Sequence, residues 1–197
     1  VVSAVTALTP PQHPLVWRAL NLAHAFYRGR RPAVGREPLT AHTMRFLRHL
    51  ERHVDAPAPE LVAAALLHHA LDGPGSREAA LRAVARGCGW QVARVVEAFQ
   101  DQADRVGRPA PPGPPTTLTE LWASWLVACE HHVVLTALLH LAPPEELVAT
   151  ADWYLPAVRR FLEGSRDHLL TLLAVELAVA IDAVDHAAEW EARNVRG

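Results

Sequence analysis

The stretch "TLTELWASWLVACEHHVVLTALLHL", residues 117–141, constrains the fold most strongly. From Trp125 to Leu139 it is apolar almost all round a helix, interrupted only by Glu130, His131, His132 and Thr136. A helix without a polar face belongs at the centre of a fold, with other elements packed around it. The rest of the chain agrees. Apolar residues recur at i, i+3 and i+4 nearly everywhere, and no run alternates as a strand would. The spacing predicts helices over 14–28, 39–54, 58–71, 76–86, 90–106, 117–141, 144–163 and 165–191. Thr117, with Glu120 three residues on, has the pattern of a capping box. Pro57 and Pro59 mark the turn before the third helix, and "DGPGS" (72–76) marks its end. The expectation is an all-α bundle of about eight helices, one domain over 1–197. Within it, 1–13 would be a flexible N-terminus, 107–117 a Pro-rich surface loop, and 165–191 an apolar C-terminal helix.

Composition then excludes some functions. The 197 residues suit one domain with a sizeable core. Net charge is −2 with histidine neutral, and no basic block occurs, which argues against a nucleic-acid polymer or a membrane surface as partner. The most membrane-like segment, 169–184, is broken by Glu176 and Asp182 and falls short of the roughly 20 residues of a span. It reads as a helix that either completes the core or forms a homodimer. Cys88 and Cys129 form no framework and no CxxC, and the first residues lack the features of a signal peptide, so a reducing, cytoplasmic setting is expected. All 19 basic residues are arginine, so lysine chemistry is excluded.

Three polar intrusions carry the functional signal. In helix 39–54, His42 shares a face with Leu39, Phe46, Leu50 and His53 and so points inward or into a cleft. In "LVAAALLHHALDG" (61–73), His68 lies on the stripe of Leu61, Ala65 and Asp72. His69 sits about 100° round the axis, and both could reach one ion at the helix edge. In helix 117–141, Glu130 is surrounded by apolar turns, and an isolated buried carboxylate is costly without a partner. Each histidine alone would pass as an ordinary core or helix-end group. Together, three histidines and a carboxylate from three helices suit one divalent ion: zinc, iron or manganese.

The order and spacing of these residues resemble the HD-domain metal phosphohydrolases. They come closest to the hydrolase domain of RelA/SpoT-type alarmone enzymes and their small single-domain relatives. The block "LAHAFYRGRRPAVGREPLTAH" (22–42) is similar to the family's first motif, with His24, Arg30, Arg31, Glu37, Pro38 and His42 matching. "AALLHH" (64–69) resembles its His-Asp segment, "VACE" (127–130) its later Leu-Ala-Asp, and "YLP" (154–156) its Tyr-x-Pro. The likeness covers roughly residues 14–164. It implies an HD-type helical bundle with a metal held by His42, His68, His69 and Glu130. It also implies Asp72 as general base, with Arg30 and Arg31 on a small-molecule substrate such as a nucleotide or pyrophosphate.

The departures are as informative. His69 stands where the family has its metal-binding Asp, and Glu130 where it has the second Asp. Asp72-Gly73 replaces an acidic pair, Leu39 replaces a Tyr, and Val134 replaces an Asn that helps bind nucleotide. Exchanging a carboxylate for imidazole removes negative charge and favours zinc or iron over manganese. Three functions fit this pattern: a divergent metal-dependent phosphohydrolase, a catalytically decayed binding module, and an HD-type enzyme turned to a phosphate-free substrate. The last would use the apolar surface of Trp122, Trp125 and Trp153.

Overall fold

The computed structural model describes residues 13–31, 37–106 and 114–194. Among these residues there are eight α-helices and no strand. They are α1 (Pro14–Tyr27), α2 (Leu39–His53), α3 (Pro59–Leu67), α4 (Arg77–Cys88), α5 (Trp90–Val106), α6 (Leu118–Leu141), α7 (Pro144–Ser165) and α8 (Thr171–Asn194). The all-α bundle expected from periodicity is what the chain forms. The expected flexible start, up to residue 12, and residues 107–113 of the Pro-rich loop lie outside the described residues.

Helix α6 is the hub. It packs against α2, α5, α7 and α8. Leu126, Leu135 and Leu138 are fully buried along it. Its start is fixed as the sequence predicts. Thr117 accepts from the Glu120 backbone N–H, and the Glu120 carboxylate accepts from the Thr117 backbone N–H. Among the described residues it is the helix long and apolar enough to span a membrane, and two thirds of that window is buried inside the bundle. Segment 169–184, the membrane candidate by sequence, instead falls largely in α8, whose inner face buries Leu173, Leu177 and Ile181 against α6 and α7.

Two boundaries differ from the periodic reading. The apolar pattern carried the third helix to residue 71, but α3 stops at Leu67 and gives way to a 3-10 turn over Ala70–Asp72. The cause lies on α1. The buried Tyr27 hydroxyl accepts the His69 backbone N–H at 3.1 Å, and His68 Nδ1 donates to the Ala65 carbonyl at 2.6 Å. Side chains thus take the groups that another helical turn would use. At the other end, α7 runs on to Ser165 and α8 begins at Thr171, where a single break near residue 164 was expected. Between α4 and α5 the chain turns at Gly89, whose φ of 94° lies in the region that side chains disfavour.

Candidate metal centre

The early end of α3 places both of its histidines on one point. His42 comes from α2, His68 and His69 from the end of α3, and Glu130 from the middle of α6. One nitrogen or oxygen from each lies within 4.8 Å of all the others. His42 Nε2 is 2.9 Å from Glu130 Oε2, and His68 Nε2 is 3.5 Å from the same oxygen. His69 Nε2 is 3.5 Å from Glu130 Oε1 and 3.2 Å from His42 Nε2. Zinc–ligand bonds of ~2.0–2.2 Å put tetrahedral neighbours ~3.3–3.6 Å apart, so separations of 2.9 to 3.5 Å are at or slightly inside a coordination edge. His42 and His68 are buried, while His69 and Glu130 keep 13% and 14% exposure, so the cluster is reached from their side.

The hydrogen bonds fix which nitrogens carry lone pairs. His68 Nδ1–H is spent on the Ala65 carbonyl. Its Nε2 therefore presents a lone pair to the Glu130 carboxylate, and among the described residues that buried nitrogen has no hydrogen-bond partner. A proton there would have to make His68 cationic. Burial, reinforced by the charge of His69, lowers its pKa to about 4. An imidazole lone pair facing a carboxylate is an arrangement that a cation between them would relieve.

His69 is held in the same sense by Asp72, whose Oδ2 accepts from Nδ1 at 2.6 Å. A carboxylate behind a histidine in this way orients it and raises its basicity as a ligand. Burial opposes a charge on His69, but the Glu130 and Asp72 carboxylates outweigh it and hold its pKa up at about 9. Glu130, which burial alone would push up, is held well below the usual carboxylate range by His42 and His69. Without a metal, then, the proton held on His69 offsets the Glu130 charge. A divalent ion would replace that proton, and the donor set fits it.

The other expected site residues are nearby but differently employed. Asp72 retains 36% exposure beyond its bond to His69. Arg30 donates to the carbonyls of Phe26 and His69 at 3.3 and 3.4 Å and lies over the Tyr27 ring, so it braces the turn that carries the ligands. Arg31 is exposed. Both arginines line a cavity of about 330 Å³ with His24 and Thr40. Trp153 is exposed, and Trp125 Nε1 donates to the His168 carbonyl at 3.2 Å.

Three groups beside the cluster have partners that the sequence does not show, Glu37 among them although it matches the motif. Tyr27 sets the backbone of His69. Glu37 sits 3.8 Å from His42 Nδ1 and is paired with Arg45. Buried His131 is hydrogen-bonded to the Tyr154 hydroxyl at 2.7 Å, directly after Glu130 in sequence. Tyr154 had been matched only through the "YLP" likeness, which carries no information about its partner. Comparison with protein-family models, with curated proteins and with solved structures finds no match.

Proposed function

We propose that the chain is a divergent HD-type, metal-dependent phosphohydrolase acting on a small phosphorylated substrate such as a nucleotide or pyrophosphate. The observation that carries this reading is the His68 Nε2 lone pair facing Glu130, completed by His42 and His69. His42, His68, His69 and Glu130 would hold the ion, which would supply an acidified water and polarise a phosphoryl oxygen. Asp72 orients His69 through one oxygen, and its remaining exposed surface lets it take the proton from the attacking water. Arg31 and the 330 Å³ cavity beside it receive the phosphate-bearing substrate, with Arg30 bracing the wall. Two free buried cysteines accord with a reducing, cytoplasmic setting.

A second reading has its own support. Leu39 and Val134, where the family places substrate-contacting Tyr and Asn, are buried in the core. A module that keeps its metal but has lost turnover would look like this. The ion itself separates the two. Four protein ligands close a tetrahedral zinc, whereas an octahedral iron or manganese keeps two positions for water and substrate. The test is phosphate release from a panel of nucleoside di- and triphosphates, 3′-pyrophosphorylated nucleotides and pyrophosphate, with each metal. The proposal expects turnover that depends on metal and is lost in His68→Ala and Glu130→Ala. Turnover by metal-free protein that survives both substitutions would overturn it. Metal binding without turnover of any substrate would establish the second reading.

A further inference from the structure

One to three turns further along α2 lies a second cluster of charged and aromatic groups that the metal centre does not use. Arg45, Arg48 and Arg52 recur at i, i+3 and i+7 and so share one face. With His49, and with His132 and Thr136 of α6, they line a cavity of about 360 Å³ open to solvent. No carboxylate is among the residues lining it. His42 and His49 are seven residues apart, which places the two clusters about 10 Å apart along the helix axis.

We propose that this pocket between α2 and α6 binds a phosphate-bearing small anion, independently of any metal at His42, His68, His69 and Glu130. Two histidines line the pocket beside the arginines. The His49 and His132 rings stack at 4.0 Å, nearly parallel. Arg52 donates to His49 Nδ1 at 2.7 Å, so the proton of the neutral ring is on Nε2. That N–H, on a histidine only 3% exposed, has no hydrogen-bond partner among the described residues, and neither does Arg45 Nε–H. The exposed guanidiniums of Arg48 and Arg52 edge the pocket, and a face of three arginines with no carboxylate in the lining calls for an oxyanion. Its volume falls in the range of small-molecule sites, ~300–1,000 Å³.

The nearby carboxylates are already engaged. Glu37 pairs with Arg45, and Glu176 of α8 accepts from His53 Nε2 at 3.1 Å. Glu176 also lies 3.8 Å from His49 Nδ1 and 3.9 Å from His132 Nε2, so His49, His53 and Glu176 could be read as a cation site. Arg52 decides against that. It occupies the one lone pair His49 has to offer, and its charge would repel a cation held there.

The test is calorimetric titration of the full chain with sodium pyrophosphate and with inorganic phosphate, in chelator and at fixed ionic strength. Saturable binding is expected, weakened on the order of tenfold by Arg48→Gln and again by Arg52→Gln, and unchanged by His68→Ala. Both arginines are exposed, so neither substitution removes core packing, and a thermal melt verifies folding. If His68→Ala does not fold, Glu130→Gln takes its place. Absence of saturable binding would overturn the proposal, as would affinity untouched by both arginine substitutions, or loss of binding in the His68 or Glu130 variant. Zinc retained by His68→Ala and released by His53→Ala would overturn it too, by making the cluster a cation site.

Discussion

His68 and Asp72 divide the work of shaping the candidate metal centre. His68 Nδ1 is tied to a backbone carbonyl, so only Nε2 is left to bind, and it is aimed at Glu130. Asp72 does for His69 what the Ala65 carbonyl does for His68. Removing such an outer partner from a ligating histidine weakens metal affinity by ~10–100-fold. Asp72→Asn is therefore expected to lower affinity by about that factor while the melting temperature of the metal-free chain changes little. Competition with a chromogenic chelator measures it. An Asp72→Asn affinity equal to that of the unaltered chain would show that the Asp72–His69 bond does not tune the ligand. The four residues of the cluster could be named from the sequence, because a polar residue within an apolar helical stripe needs a partner. Where α3 stops was not legible, because it depends on the bond from the His69 backbone N–H to Tyr27 on α1, far away in sequence.

Helix α6 carries Glu130 and much of the core, so its integrity controls both stability and site. Its capping box was readable from Thr117 and Glu120 alone, and the structure forms it. Thr117→Ala should cost ~1 kcal/mol in a denaturant melt. Leu135→Ala, deep in the core, should cost ~2–5 kcal/mol. Equal effects of the two would mean that α6 is held by its end rather than by its packing. By contrast, nothing local signals the His49–His53–Glu176 cluster. Glu176 is 123 residues from His53 and comes near it only because α8 packs on α6 close to α2. The apolar pattern of 169–184 marks a buried helix without saying which neighbours Glu176 will meet.

The bundle as a whole keeps several histidines neutral. Burial, aided by His132, His53 and Arg52, drives the His49 pKa down to about 2, and burial also lowers His53 and His132. In the unfolded chain each titrates near ~6.5. Above that pH neither state binds the proton, and the contribution of these groups is complete. Between 6.5 and the lowered native values only the unfolded chain takes it up, so stability falls as pH falls through this window. His49→Gln should flatten that decline by on the order of 1 kcal/mol per pH unit between pH 6 and 4. Urea melts across the range test it, and parallel curves for variant and unaltered chain would refute it. The account rests most heavily on the convergence of His42, His68, His69 and Glu130, and elemental analysis of protein purified without added metal tests that directly. It predicts about one zinc, iron or manganese per chain, lost in His68→Ala and in Glu130→Ala. A chain free of these metals that also binds none on titration, or full occupancy in both variants, would contradict it.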